Sequence, residues 1–138
     1  MILTIKGNPT ALKRHRMTKT GHSYDPSAKE KQDFLMMVQN KAPNPPIKGA
    51  IKIDVLFYMP RPKSHYRTGK FSGILKDTAP MWHTGRPDLD NLVKFISDAL
   101  NGVFYKDDSQ ICLLHAEKMY VKKYPRTEID IEEIDGEL

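Results

Sequence analysis

Arg86-Pro-Asp-Leu-Asp-Asn-Leu-Val-Lys-Phe-Ile-Ser-Asp-Ala-Leu-Asn-Gly-Val-Phe-Tyr-Lys-Asp-Asp-Ser-Gln110 is the stretch from which the rest of the chain is read. Leu89, Leu92, Val93, Ile96 and Leu100 recur at helical spacing and Asn101-Gly102 supplies a stop, so a helix is predicted over residues 88–100. Asp88 and Asp90 open that helix, and Lys94 lies one turn beyond Asp90. Residues 90, 94 and 98 then share a face turned away from Leu89, Leu92 and Ile96. A second acidic pair, Asp107-Asp108, falls in the turn that leads to a strand predicted over residues 110–121. With that strand packed beside the helix, three or four carboxylates are expected to converge at one spot.

Such a cluster has two accounts. Oxygen-rich clusters hold hard divalent cations, and Mg²⁺ in particular takes a few carboxylates together with water and substrate phosphate. An ion so held polarises a phosphoryl oxygen and supplies hydroxide for in-line attack. Lys94 would then neutralise charge developing on the phosphate or position the attacking water. In the plainer account Asp88 is a helix cap, and Asp90 answers the positive helix end. Lys94 and Asp98 then form a surface pair, and Asp107-Asp108 is a polar turn.

Working outward, residues 50–59 (Ala-Ile-Lys-Ile-Asp-Val-Leu-Phe-Tyr-Met) put Ile51, Ile53, Val55, Phe57 and Met59 on one face of a half-buried strand. Ile2-Leu3-Thr4-Ile5-Lys6 reads as a short strand ended by Gly7-Asn8-Pro9. Residues 10–24 lack periodicity and are strongly cationic, so an exposed basic loop is expected. Asp25-Pro26 looks like a helix start, with Phe34, Met37 and Val38 as the apolar face and Pro43 as the limit. Residues 60–85 form a long Pro-, Gly- and Lys-rich connection of the kind that is usually functional or mobile. Tyr124-Pro125-Arg126 supplies a turn before a last strand over residues 128–134. The order predicts an α+β fold: a single small domain over residues 1–138, with a mixed sheet of about four strands and two main helices packed on it. Cys112 and Met119 are expected in the strand core, and Met36 and Met37 in the core or at a dimer contact.

The 138 residues are 39% apolar and 28% charged, ordinary for a globular chain. No apolar run approaches the roughly 20 residues needed to span a bilayer. The N-terminal residues carry no basic-then-apolar leader, and the one cysteine, Cys112, makes neither an internal disulfide nor a structural zinc site. A reducing cytoplasm is the expected compartment. The net charge of +5 is unevenly spread: residues 1–70 carry 14 Lys+Arg against 4 Asp+Glu, and residues 71–138 carry 8 against 13. Basic surface draws polyanions through phosphate contacts, whereas clustered carboxylates draw divalent cations.

The linked elements Arg86-Pro87-Asp88-Leu89-Asp90-Asn91-Leu92, Lys94, Asp98-Ala99-Leu100-Asn101-Gly102 and Lys106-Asp107-Asp108-Ser109-Gln110 resemble the RusA family of Holliday-junction resolvases of bacteria and phages. That family's signature is an Asp-Leu-Asp-Asn helix start, a lysine one turn on, and an Asp-Asp-x-Gln lead into a strand. The match is close across residues 86–118. It is looser for the first strand with its basic loop and for Met59-Pro60-Arg61-Pro62-Lys63. The resemblance implies a Mg²⁺-dependent endonuclease that works as a homodimer on four-way DNA junctions and needs no small-molecule cofactor. By position, Asp88, Asp90 and Asp108 would be its metal-binding catalytic carboxylates and Lys94 its catalytic lysine. Asp107, its neighbour, is left outside that set, because adjacent residues entering a strand point to opposite faces. The 60–85 connection is longer than in the shortest family members.

On this reading Lys13, Arg14, Arg16 and Lys19, with Arg61, Lys63, Arg67 and Lys70, are candidates to hold the sugar-phosphate backbone. Tyr66 or Trp82 would lie against unpaired bases, while His65 and His83 are expected at the surface rather than on a metal. Two other functions fit the residues: a Mg²⁺-dependent nuclease acting more broadly on flaps and forks, and a non-catalytic basic nucleic-acid-binding protein.

Overall fold

Alternation of β-branched and aromatic residues makes Ile51–Pro60 the spine of the molecule. Its Ile51, Ile53, Val55, Phe57 and Met59 are all buried, and the residues between them are half-buried. The computed structural model describes residues 1–135, so residues 136–138 of the expected 1–138 domain lie outside the described residues. In chain order the elements are β1 (Ile2–Lys6), β2 (Arg16–Met17), β3 (Ser23–Tyr24), α1 (Ala28–Val38), β4 (Ile51–Pro60), α2 (Leu89–Leu100), β5 (Ile111–Val121) and β6 (Arg126–Glu133). The main sheet has the order β1-β6-β4-β5, with β4 and β5 parallel and the other pairs antiparallel. A parallel pair needs a long crossover. Here residues 61–110 supply it and carry α2 with them. The result is an α+β fold with a mixed four-stranded sheet and two helices on one face.

Helix α2 buries Leu92, Phe95, Ile96, Ala99 and Leu100 against that face. Each large side chain so buried contributes about 1.5–3 kcal/mol. Phe95 meets Phe34 of α1 edge-on, with ring centroids 5.5 Å apart. The seam of α1, α2, β1, β4 and β6 therefore forms one core, and the start of α2 is fixed from below by Leu92.

Several expectations are corrected. Helix α1 starts at Ala28 rather than at Asp25-Pro26: the Asp25 carboxylate accepts the Ser27 N–H at 2.9 Å and Ala28 N–H reaches Asp25 O, so a turn precedes the helix. The basic loop at 10–24 is exposed but carries the small antiparallel ribbon of β2 and β3. Met36 and Met37 stand on the outer face of α1, 61% and 58% exposed, and take no part in the core. Cys112 is also exposed. The register between β4 and β5 shifts there, Ile51 opposing Ile111 and Lys52 opposing Leu113, which leaves Cys112 as the extra residue of a bulge on an edge strand. Met119 is half-buried.

The 60–85 connection is ordered against β5. Trp82 bridges Met119, Tyr120 N–H donates to Met81 O at 2.9 Å, and His83 N–H donates to Lys118 O at 3.3 Å. Residues 81–83 thus cover the far end of an otherwise open edge. No helix among the described residues is long and apolar enough to cross a membrane.

Candidate active site

Asp88 occupies the flanking position of α2, with φ −71° and ψ 144°, and its carbonyl accepts the Leu92 N–H at 3.2 Å. Aspartate at that position ordinarily uses its carboxylate to cap the free N–H groups of the first turn. Here the Asp88 side chain makes no capping bond. Asp90, in the first turn, is 69% exposed, and its Oδ2 lies 3.9 Å from Nζ of Lys94, which is 62% exposed. A pair so open to solvent adds only a few tenths of a kcal/mol to the helix, so neither group is tied up in folding.

The basic loop is tethered beside these groups. Leu12 N–H donates to Asn91 O at 3.0 Å, and Lys13 N–H donates to Ser27 Oγ at 2.9 Å. Leu12, Lys13, Arg14, Asp88, Asp90, Asn91 and Lys94 consequently line a single hollow of about 380 Å³. Arg14, Arg86, Pro87, Asp88 and Asn91 line a second, adjoining one. Two carboxylates therefore stand within a rim of arginine and lysine.

The second acidic pair divides its labour. The Asp107 carboxylate accepts the Ser109 N–H at 3.1 Å, and the Ser109 side chain first and this N–H second hold its carboxyl below the usual carboxylate range. Gln110 Oε1 accepts the Asp107 N–H at 2.7 Å, completing a reciprocal cap. Gln110 Nε2 also donates to Ile47 O and Gly49 O at 2.8 and 2.9 Å, stapling this turn to the segment before β4. Asp107 is thus a structural cap, and Asp108 is the member left over.

Asp108 does not share the hollow of Asp88 and Asp90. It lines a smaller one with Ile53, Val93, Ser97, Ile111 and Leu114. Among the described residues no group of three His, Cys, Asp or Glu side chains is placed to hold a metal ion. The expected convergence of three or four carboxylates is therefore met by two. Tyr105 supplies the physical reason. Fully buried, it donates its hydroxyl to Ser97 O at 2.6 Å, which docks the following turn beside Ser97. Burial, followed by the charges of Asp108, Asp98 and Asp107, pushes its hydroxyl well above the ordinary phenol range, so it remains a donor. Ser97 is seven residues past Asp90, about 10 Å along a helix axis.

The remaining candidates fall into two groups. Arg14 faces both hollows, while Arg16, Lys19, Lys63 and Lys70 are exposed. Lys13 pairs with Glu30 at 2.9 Å, and Arg67 lies 3.7 Å from Asp77. Arg61, by contrast, is committed within the protein: Nη1 donates to Pro80 O at 2.7 Å and the guanidinium lies over the Tyr120 ring. His65 and His83 are not free surface side chains, since both pack on Tyr120, with centroids 4.7 and 4.8 Å away. Trp82 is 49% exposed beside the site-bearing turn, whereas the Tyr66 hydroxyl donates to Lys122 O at 3.4 Å.

One contributor escaped the sequence reading. Nζ of Lys118 donates to Gly85 O and Pro87 O, each at 2.7 Å, and so braces the turn that delivers Asp88. The available signal was its alternation: Ala116, Lys118 and Tyr120 share the inward face of β5, where a lysine is out of character.

Two exposed carboxylates not spent on capping, bordered by arginine and lysine, suit the hydrolysis of a phosphodiester, the chemistry of a nuclease. The sequence model of the family described as Endodeoxyribonuclease RusA matches residues 6–132, and the chain belongs to that family. It is 36% identical over 143 aligned positions to "Uncharacterized protein YqaN" of Bacillus subtilis (strain 168), an alignment covering 96% of both chains. It is also 48% identical over 54 residues to "Crossover junction endodeoxyribonuclease rusA" of Lactococcus phage r1t, across 38% of this chain and 40% of the phage protein. A nuclease of this family suggests a divalent-metal requirement. The donor set fits a hard cation bound in the manner of Mg²⁺, through one or two carboxylates with water and phosphate oxygens.

Proposed function

We propose that this protein is a Mg²⁺-dependent, structure-specific endodeoxyribonuclease that resolves four-way DNA junctions by paired symmetric nicks, in DNA recombination and repair. One observation carries the chemistry: Asp88 stands where a helix cap belongs, yet its carboxylate is withheld from capping and shares a cationic hollow with Asp90. Asp88 and Asp90 would hold the ion, which when bound supplies a Lewis acid for the phosphoryl oxygen and an acidified water. Asp108 is the third carboxylate by family position. Lys94 balances negative charge developing on the phosphate. Arg14, which borders both hollows, and Arg86, which borders the adjoining one, orient the strand to be cut.

Arg14, Arg16, Lys19, Lys63, Arg67 and Lys70 would grip phosphates through counterion release, with Lys13 at the hollow's rim. Arg61 has its role in holding the 60–85 connection. The exposed Trp82 ring suits stacking on an unpaired base. A four-way junction presents two related scissile phosphates, so a twofold-symmetric homodimer matches it and a monomer does not. A reducing cytoplasm, where Cys112 stays a free thiol, is the compartment that goes with this work.

The test is a substrate panel of mobile four-way junction, flap, fork and linear duplex, each with Mg²⁺ and with EDTA. The proposal expects symmetric, religatable nicks in the junction, with Mg²⁺ only. Preference for flaps or forks would instead define a broader nuclease, and tight binding without cutting a non-catalytic nucleic-acid-binding protein.

A further inference from the structure

We propose that Lys118 is a positioning residue for the cleavage reaction, setting the carboxylate of Asp88 by gripping the backbone on either side of Arg86. The inference rests on the reading of Asp88 as a metal ligand given above.

Lys118 sits opposite Phe57 in the parallel register of β5 on β4, between Ala116 opposite Val55 and Tyr120 opposite Met59. Phe57, Val55 and Met59 point into the core, so Lys118 lies on the helix-covered side of the sheet. It pairs with no carboxylate among the described residues. Its ammonium instead donates to Gly85 O and Pro87 O, both at 2.7 Å. Charge-assisted bonds of that length are the stronger kind and hold direction as well as distance.

The second acceptor is the informative one. Pro87 O belongs to the peptide unit that enters Asp88, so fixing that oxygen fixes the plane from which the Asp88 side chain springs. The backbone of the same lysine secures the preceding segment, because Lys118 O accepts the His83 N–H at 3.3 Å. One residue of the edge strand thus holds the chain at 83, 85 and 87. The body of α2 is independently secured by Leu92, Phe95 and Ile96 in the core, none more than 2% exposed. Removal of the ammonium therefore leaves the helix docked and frees only its approach, where Asp88 stands. Groups that orient a metal ligand without touching the ion typically govern affinity or rate about 10–100-fold.

The test uses the full chain as wild type, Lys118→Met and Lys118→Arg. Mg²⁺ is titrated without DNA while the amide resonances of residues 88–91 are followed by NMR. Single-turnover junction cleavage and junction affinity in Ca²⁺ are measured alongside. Lys118→Met should raise the half-saturating Mg²⁺ concentration and slow cleavage, each by about tenfold or more, with junction affinity within twofold of wild type. Lys118→Arg, which keeps a cation and paired donors, should recover most of the Mg²⁺ affinity. A Lys118→Met protein whose titration and rate match wild type overturns the inference and leaves the nuclease reading intact. So does a variant whose melting temperature, junction affinity and rate fall together, with Lys118→Arg no better, because the lysine is then structural. Absence of any Mg²⁺ response in wild type would remove Asp88 as a ligand, a separate failure that takes the inference with it.

Discussion

Gln110→Ala removes a staple whose parts can be counted. The side chain makes three hydrogen bonds, from Asp107 N–H and to Ile47 O and Gly49 O, at 2.7, 2.8 and 2.9 Å. Each is worth about 1 kcal/mol net, and more where its loss strands a buried partner. The three losses are unequal. Ile47 O keeps a bond from Lys106 N–H at 3.2 Å, and the N–H of Asp107 lies in an exposed turn that water reaches. The bond to Gly49 O is part-buried and has no such substitute among the described residues. A total of about 2 kcal/mol follows, which for a domain of this size lowers the melting temperature by about 6–8 °C. Urea unfolding at one fixed protein concentration measures it, with Gln110→Glu as the variant that keeps the acceptor but loses both donors. Gln110→Glu should recover little. A loss below about 0.5 kcal/mol would refute the reasoning, since a surface glutamine with no partners behaves that way.

Other consequences bear on activity and pH. Asp90→Asn should abolish cutting, retain junction binding and leave the melting temperature unchanged or higher, measured by cleavage, gel shift and thermal scans; normal cutting or unfolding contradicts its role. Lys94→Ala should slow single-turnover cleavage on the order of a hundredfold at little cost in stability, because the lysine is exposed and its pair with Asp90 is weak. His83 is held below its ordinary value of 6.5 by burial first and by Lys118 second. The unfolded chain then binds that proton more readily, so stability is level above about pH 6.5 and declines as pH drops towards the lowered folded value. Urea unfolding between pH 5 and 8 should show this slope reduced in His83→Gln, and equal slopes would contradict the assignment.

The legible part of the molecule was that carried by strong periodicity. Residues 51–59 and 89–100 announced a half-buried strand and an amphipathic helix, and the alternation of Ile129 and Ile131 announced a third strand in the core. The order of elements then left few arrangements other than a mixed sheet with helices on one face. What periodicity does not encode is which edge stays open. Cys112 is expected in the strand core from sequence, but it falls at a bulge on an edge strand that leaves it, and Leu114 beyond it, exposed.

Within the site, the grouping of Asp88, Asp90 and Lys94 follows from spacing along one helix, and Asp108 does not. Its position depends on Tyr105 docking onto Ser97, a tertiary contact with no local signature. The roles of Asp107 and Asp108 were likewise separable only once the reciprocal cap with Gln110 was visible. Lys118 shows the same limit from the other side: its partners are two carbonyls 31 and 33 residues away, and carbonyls are common to every sequence.

The central claim is that Asp88 is chemistry rather than capping. Single-turnover cleavage of a mobile four-way junction by wild type and Asp88→Asn in Mg²⁺, with thermal melting of both proteins, addresses it most directly. The account predicts paired nicks from wild type and none from Asp88→Asn, with melting temperatures that agree. Equal cutting by the two proteins would contradict it, and an Asp88→Ala protein that cuts normally but melts several degrees lower would make Asp88 a helix cap and remove the basis for the site.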